Sequence, residues 1–180
     1  MNEYSQKSIY GVIRINTPYY LLSGAVLAAA AVLYYACDAR DPEGLTRVLL
    51  APYAKAAELF MNINLRYADG TGYSAPGLPF SIGRNCSGVN YMAAVFGMMT
   101  FMFIHKIPER RKILWIALWA PGAAAVGVVT TALRILGSIP LAGYARFSTL
   151  HAGIGISFYL GGMIICFFAT EKLTQKRLNT

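Results

Sequence analysis

The chain has 180 residues, of which 56% are apolar and 13% are charged, and its mean hydropathy is +0.46. A soluble domain carries about 25% charged residues, and a chain this short cannot hide so much apolar surface in one core. Disordered chains are poor in apolar and aromatic residues, and three cysteines are too few for a disulfide scaffold. We therefore predict an integral membrane protein.

The formal net charge of +8 does not indicate nucleic-acid binding, because most Lys and Arg residues lie in short clusters beside apolar runs. That placement is typical of topology signals and of contacts with lipid headgroups. We therefore expect the lipid bilayer as a partner, and no nucleic acid.

Four apolar stretches approach the roughly 20 residues that a membrane-spanning helix requires. They are residues 18–36, 86–104, 113–136 and 150–169. We expect Pro121 and Gly122 to bend the third. The first stretch could instead be a signal peptide, but its apolar run is long and no clean small-residue cleavage site follows it. The predicted fold class is therefore an all-α polytopic membrane protein, with residues 1–180 forming a single integral membrane domain.

The distribution of cations predicts the orientation of the chain in the membrane. Residues 106–112 form a compact loop between the second and third stretches and include four Lys or Arg residues. With the N-terminus placed inside, the inner segments hold nine Lys and Arg residues and the outer segments hold six. Cytoplasmic loops carry an excess of these residues, so we expect both termini to lie in the cytoplasm.

The external segment, residues 38–85, is expected to form a small cap. Apolar residues recur in it at helical spacing: Leu45, Val48, Leu49, Tyr53, Ala56 and Phe60. This stripe predicts an outer amphipathic helix that lies on the membrane face or caps the bundle. Residues 62–73 predict a hairpin around Asp69 and Gly70, a favourable two-residue turn pair, and the prolines that follow predict irregular structure.

Three chemically reactive residues lie at the same predicted level of the membrane. Cys86 begins the second stretch, Arg134 lies near the end of the third, and His151 opens the fourth. Because successive spans cross in opposite directions, we expect all three at the outer face. Polar residues inside a membrane are costly, which makes each of them a functional candidate.

Together these residues suit acyl transfer through a thioester. We expect Asn85 to cap the second helix and Cys86 to lie in its first turn, where the thiolate form is favoured. His151 can accept the thiol proton and later protonate a leaving amine. Arg134 can hold a thiolate, an oxyanion or a substrate carboxylate.

Each reactive residue also has an ordinary structural explanation. A lone cysteine in an apolar segment usually packs as a small hydrophobic residue, which we expect for Cys37 and Cys166. A lone histidine can hydrogen-bond to a backbone carbonyl, and a lone arginine can extend to the headgroups. The joint placement of Cys86, Arg134 and His151 favours the catalytic interpretation.

The ordered motifs resemble those of the exosortase and archaeosortase family. The family's Cys-Ser-Gly motif is similar to residues 85–90, Asn-Cys-Ser-Gly-Val-Asn, and its Arg motif to residues 132–135, Ala-Leu-Arg-Ile. His151 followed by Gly155 resembles its His motif. The resemblance covers about residues 80–162, and the short chain is similar to the subgroup called exosortase K.

The resemblance implies a polytopic membrane cysteine transpeptidase that cleaves C-terminal sorting signals outside the membrane. Such a signal consists of a short motif, a transmembrane helix and a basic tail. In this family's scheme Cys86 is the nucleophile, His151 is the general base and then the acid, and Arg134 stabilises the thiolate or the oxyanion. The implied partners are membrane-anchored substrate proteins, and the implied location is the cytoplasmic membrane of a bacterium or archaeon, with the active site facing outside.

Further residues are expected to contact the substrate: Arg84, Asn85, Ser87, Asn90, Thr131 and Arg146. Arg84 and Arg146 are candidates for gripping an acidic residue of the sorting motif. Thr131 stands where the family often has Asn, three residues before the Arg. The sequence carries no metal-ligand spacing and no phosphate loop, so we expect no metal and no cofactor. Two alternatives stay open: a membrane-interface cysteine protease that acts by hydrolysis only, and a non-enzymatic membrane subunit or carrier.

Overall fold

The computed structural model describes residues 3–76, 80–143 and 147–178. Most of this part of the chain lies in five α-helices: α1 (Glu3–Arg40), α2 (Pro42–Met61), α3 (Val89–Phe103), α4 (Lys112–Ser138) and α5 (Phe147–Leu178). Three short strands follow α2: β1 (Arg66–Ala68), β2 (Gly72–Ser74) and β3 (Ser81–Ile82). One-turn 3-10 helices flank α3 and α4 at Arg84–Cys86, Ile104–Lys106, Glu109–Arg111 and Ile139–Leu141. The predicted all-α class is confirmed, with a small sheet added to it.

Within residues 3–76, 80–143 and 147–178, four helical segments are long and apolar enough to cross a membrane. They are Asn16–Arg40, Arg84–Lys106, Glu109–Leu141 and Thr149–Gln175, and they follow the four predicted stretches in order. Only 6% of the most apolar window is buried in the first and the fourth segment, against 44% in the second. The outer helices α1 and α5 therefore expose large apolar side chains, as helices in contact with lipid do. The third segment contains α4, which runs as one α-helix through Pro121 and Gly122.

Polar contacts tie the helix ends together at both ends of the bundle. At one end, the Tyr19 hydroxyl donates to Glu109 over 3.0 Å, and Lys106 lies 3.5 Å from Glu171. At the other end, Asp38 of α1 is ion-paired with Arg84 of the one-turn helix before α3, and the end of α4 is bonded to α5. The four long helices therefore alternate in direction around α4, which packs against all the others. We call the second end, which also carries residues 41–88, the cap end.

The amphipathic helix α2 packs against α4 and caps the bundle. It begins at Pro42, after Asp41, whose carboxylate accepts a 2.8 Å hydrogen bond from the Gly44 N–H and satisfies a donor without a helical partner. Its buried residues are Leu50, Tyr53, Ala54 and Ala57. The predicted stripe is confirmed in part: Tyr53 is buried and Leu45, Leu49 and Ala56 are half-buried, whereas Val48 is 70% exposed and Phe60 is 72% exposed. The reason is that α2 carries apolar residues on two faces, and only one face packs against α4.

The predicted hairpin forms, with a longer turn than expected. β1 and β2 pair in antiparallel fashion up to Ala68 and Gly72, which leaves residues 69–71 as a three-residue turn. Gly70 and Gly72 have φ values of 75° and 90°, which favour glycine at both positions. The predicted turn of two residues is therefore one residue shorter than the turn in the structure. β3, in a stretch expected to be irregular, pairs with β2 and completes a sheet of order β1-β2-β3.

A single carboxylate ties this sheet to α2. Glu43 accepts a 2.6 Å hydrogen bond from the Tyr67 hydroxyl and a 3.2 Å bond from the Gly70 N–H. The ring of Tyr67 also meets that of Tyr73 edge to face, with centroids 5.1 Å apart. Glu43 and Tyr67 thus connect α2 with both strands and with the turn between them. As a result, α2 and the sheet form one unit over the end of the bundle.

The hydrogen bond to Glu43 raises the pKa of Tyr67 to about 12, because the carboxylate accepts only from the neutral phenol. The folded pKa lies above the ordinary value of 10.0, so the bond contributes stability that is complete below pH 10.0 and is lost as the pH rises through about 12. We expect the difference between the phenolate absorbance titrations of the wild type and Tyr67→Phe to have its midpoint near pH 12. Glu43→Gln, the control, should move that midpoint towards 10.0, and a wild-type midpoint already near 10.0 contradicts the assignment.

Candidate active site

The predicted nucleophile lies in a tight loop between β3 and α3. Cys86 is the last residue of the one-turn helix Arg84–Cys86, and its N–H closes that turn with a 2.8 Å hydrogen bond. α3 begins only at Val89, with Gly88 in its cap position. The prediction that Asn85 caps this helix and that Cys86 lies in its first turn is therefore wrong. The 3-10 turn separates the thiol from the N-terminus of α3. We call residues 83–88 the Cys86 loop.

The Cys86 loop packs directly on α4. Gly88 has a φ of 68°, and a Cβ at this position would lie 2.3 Å from Thr131 Oγ1. Thr131 is completely buried. Only glycine combines the left-handed backbone with so close an approach to a side chain, so this contact sets the height of the loop above α4.

We expect Gly88→Ala to lower the free energy of unfolding by about 2–4 kcal/mol, because it adds a steric clash to the strain of a left-handed residue. Gly70→Ala is the matched control. Gly70 also has positive φ (75°), but a Cβ there meets nothing within 4 Å, so that variant isolates the backbone term of about 1–2 kcal/mol. The measurement is thermal or denaturant unfolding of the purified variants in one detergent. Equal losses for the two variants would show that the contact with Thr131 is unimportant.

Arg134 and His151 are in direct contact across α4 and α5. Arg134 Nη2 lies 2.9 Å from His151 Nε2, and Nη1 donates a 2.9 Å hydrogen bond to the Tyr159 hydroxyl. Because a guanidinium only donates hydrogen bonds, His151 Nε2 accepts in this contact, and the neutral ring carries its proton on Nδ1. Gly155 allows this packing, since a Cβ there would lie 2.7 Å from Arg134 Nε. The guanidinium therefore lies against α5.

Tyr159 supports this pair, and the motif analysis did not identify it. Its hydroxyl accepts from Arg134, and its ring stacks on Tyr91 with centroids 4.4 Å apart and an interplanar angle of 13°. His151, Gly155 and Tyr159 are spaced four residues apart and share one face of α5. That spacing is the signal in the sequence that marks Tyr159 as part of the site.

Tyr53 of α2 is a second supporting residue, placed by the sequence only on an apolar stripe. Its side chain is 1% exposed, and its hydroxyl donates a 2.8 Å hydrogen bond to the carbonyl of Ser87 in the Cys86 loop. Burial raises the pKa of Tyr53, so the phenol stays protonated and remains a donor. No local spacing relates two residues 34 positions apart, so this contact could not be predicted. Tyr53 and Thr131 both hold the Cys86 loop in place.

A cavity of about 640 Å³ opens on one side of the Cys86 loop, and we call it the cap cavity. Cys86 and His151 line it, together with residues of α2, the β1–β2 turn and β3. Arg134 lines a second space, of about 600 Å³, which also borders the Cys86 loop. The three predicted catalytic residues therefore converge at the cap end, with Arg134 behind the pair that faces the cap cavity.

The residues expected to contact substrate occupy different positions. Arg84 pairs with Asp38 of α1 at 2.5 Å and lines both spaces, as Asn85 does. Ser87 and Asn90 line the second space only, and Asn90 is exposed. Arg84 therefore already has an acidic partner within the protein.

Two further residues predicted to contact substrate are placed differently. Thr131 is fully buried and lines neither space, so its side chain supports the Cys86 loop instead of facing a ligand. Arg146 lies outside the described residues.

The described residues include no group of three or more His, Cys, Asp or Glu side chains that could hold a metal ion. Cys37, Cys86 and Cys166 are free thiols. Cys37 is exposed near the end of α1, and Cys166 is half-buried in the middle of α5. Of the three, Cys86 is the thiol that lines the cap cavity.

Comparisons with protein-family profiles, with curated proteins and with solved structures find no match. The class of protein is defined by the fold itself: four long apolar segments make it a multi-pass α-helical membrane protein. At its cap end, a thiol and an imidazole line one cavity, and a guanidinium contacts the imidazole.

Proposed function

We propose that this protein is an exosortase-like membrane cysteine transpeptidase. It cleaves the C-terminal sorting signals of exported proteins and forms a thioester on Cys86. One observation carries the proposal: Cys86 and His151 line the same cavity, and His151 is held by the 2.9 Å contact with Arg134. A nucleophile, a base and a group that orients the base are the parts that covalent acyl transfer needs.

In the proposed reaction, the Cys86 thiol gives its proton to His151, and the sulfur attacks the carbonyl carbon of the scissile bond. The tetrahedral oxyanion collapses as the C–N bond breaks, and His151 gives the proton to the leaving amine. An acceptor amine then attacks the thioester, forms a new amide and releases the Cys86 thiol. Water in place of the amine gives hydrolysis.

The contact between Arg134 and His151 controls the first step of this reaction. While His151 Nε2 accepts from Arg134, the same nitrogen has no free lone pair for the thiol proton. Negative charge that develops on the thiolate or the oxyanion attracts the guanidinium, and a shift of Arg134 towards that charge frees Nε2. Proton transfer is therefore coupled to the movement of Arg134.

We place the cap end on the outer face of a bacterial or archaeal cytoplasmic membrane, with both termini inside. The support is the charge of the opposite end, where the 106–112 loop includes four Lys or Arg residues. The proposed partners are membrane-anchored proteins with a C-terminal sorting signal. Their own transmembrane helix holds the motif at the level of Cys86, which supplies part of the positioning that catalysis requires.

The proposal is tested by co-expressing the protein with a substrate that carries a C-terminal sorting signal and measuring the mass of the new C-terminus. Transpeptidation predicts a mass that includes the acceptor amine. A free carboxylate indicates the hydrolysis-only protease. If no candidate sorting signal is cleaved, the result contradicts both the transpeptidase and the hydrolysis-only protease.

Alkylation by iodoacetamide separates an enzyme from a non-enzymatic subunit or carrier. We expect Cys86 to react faster than Cys37, although Cys37 is the exposed thiol and Cys86 is half-buried. Exposure alone predicts the opposite order, so faster labelling of Cys86 reports an activated thiolate. The variants Cys86→Ala and Cys37→Ala each remove one thiol, which shows which labelling rate belongs to which cysteine. Slower labelling of Cys86 favours the carrier.

A further inference from the structure

The second space beside the Cys86 loop is a crevice between α1 and the paired helices α3 and α4, and we call it the α1 crevice. Its volume is about 600 Å³. Small residues make up much of its wall: Ala30 and Ala31 of α1, Ala93 of α3, and Ala120, Ala123 and Ala124 of α4. Larger apolar side chains of α1 and α3 line the rest of its length. The crevice is therefore an apolar slot within the membrane-spanning part of the protein.

The length of the α1 crevice matches one leaflet of a bilayer. Along α1 it is lined from Val26 to Tyr35, a distance of about 14 Å at 1.5 Å per residue. The hydrocarbon core of a bilayer is about 30 Å thick, so one leaflet is about 15 Å. Tyr34 and Tyr35 lie at the cap end of the slot, where aromatic side chains meet the headgroup level. Along α4 the lining runs from Ala120 to Arg134, about 21 Å, which is longer than one leaflet but still shorter than the roughly 30 Å that a membrane-spanning helix covers. An acyl chain therefore fits the crevice better than a whole helix does.

The cap end of the α1 crevice is polar and cationic. Arg84, Asn85, Asn90 and Arg134 line it. Asp38 neutralises Arg84 in part through their ion pair, and Arg134 adds a second positive charge whose described partners, His151 and Tyr159, are uncharged. Arg134 Nε lies against Gly155 of α5, so Arg134 contributes its charge to the crevice and not a free donor. This end therefore carries a net positive charge, and the side-chain amides of Asn85 and Asn90 supply N–H donors for an anion.

We propose that the α1 crevice binds one anionic phospholipid, with its phosphate at Asn85, Asn90 and the two arginines and an acyl chain in the alanine-lined slot. Guanidinium and amide N–H groups are suited to phosphate oxygens. The linings of the crevice and the cap cavity share only Arg84 and Asn85, so the lipid and a peptide occupy different spaces. This inference does not depend on the proposed reaction, because it uses only the shape, length and charge of the crevice.

The test is native mass spectrometry of the protein released from nanodiscs that contain equal amounts of phosphatidylglycerol and phosphatidylcholine with identical acyl chains. We expect one phosphatidylglycerol to be retained in preference to phosphatidylcholine. Arg84→Gln should reduce that preference roughly fivefold, which is the effect of one cation at the headgroup level, and Arg84→Lys should preserve it. Equal retention of both lipids by the wild type overturns the proposal.

Two matched pairs of variants separate this site from ordinary lipid at the surface. Ala93→Phe fills the crevice and should abolish retention, whereas Ala94→Phe, at the neighbouring exposed position outside the crevice, should not. Asn90→Asp places a negative charge at the phosphate position without touching the Arg84 ion pair and should weaken retention, whereas Asn90→Gln should not. If Ala93→Phe and Ala94→Phe behave alike, the lipid is not in the crevice. Crosslinking of a partner helix to the crevice, with no lipid retained, also overturns the proposal.

Discussion

Replacing Cys86 by alanine is expected to lower the processing of a co-expressed substrate by at least about a thousandfold. The reason is that the thioester cannot form without the sulfur, and loss of a nucleophile removes most of the rate enhancement of a covalent mechanism. The measurement is the fraction of substrate cleaved over time, by mass spectrometry or by immunoblot. Cys86 lies in a loop held by Tyr53 and Gly88, so removal of its half-buried thiol should leave the melting temperature nearly unchanged.

Two controls belong with this variant. Cys37→Ala and Cys166→Ala should process at the wild-type rate, because neither thiol lines the cap cavity. Cys86→Ser keeps the shape of the side chain but replaces a thiol with a much weaker nucleophile, and it should be nearly as inactive as Cys86→Ala. Normal processing by Cys86→Ala rules out the thioester and with it the proposed function.

The second large effect is expected for Arg134→Lys, which keeps the charge but loses the geometry. Nη1 and Nη2 reach two different acceptors, Tyr159 and His151, each at 2.9 Å. One ammonium group cannot reproduce a planar fork that bonds both. We expect the rate of processing to fall about a hundredfold or more, the loss seen when a donor that stabilises a transition state is removed.

A purely structural role for Arg134 makes a different prediction from a catalytic one. Tyr159→Phe removes one of the two hydrogen bonds and leaves the contact with His151, so we expect a loss of roughly tenfold. Both variants are scored by the iodoacetamide labelling rate of Cys86 as well as by processing. If Arg134 acts only on stability, the melting temperature falls and the labelling rate of the folded fraction stays the same. A wild-type processing rate for Arg134→Lys shows that charge alone suffices.

Much of the architecture follows from local patterns in the sequence. Long apolar stretches have one stable solution in a bilayer, which is a helix, so the number and order of the spans could be predicted. The turn residues Asp69 and Gly70 mark the hairpin, although the length of its turn depends on pairing that only the sheet reveals. Only part of the predicted α2 stripe is buried, because a helix with apolar residues on two faces has two candidate stripes and its neighbours choose between them.

For the reactive residues too, the sequence determined one property and the tertiary structure another. Because successive spans alternate in direction, the sequence alone determined that Cys86, Arg134 and His151 meet at one end of a four-span membrane protein, and the structure confirms this meeting at the cap end. The scarcity of charged residues, 13% of the chain, made these three stand out.

Only the tertiary structure decided how these residues meet. Spans that are apolar all round carry no periodic signal for their rotation about the helix axis, so side-chain contacts between them depend on packing. That packing sets Tyr159 against Arg134 and Tyr53 against the Cys86 loop. The same packing places Arg134 in the lining of the α1 crevice and not in that of the cap cavity, a separation that the spacing of motifs along the chain does not predict.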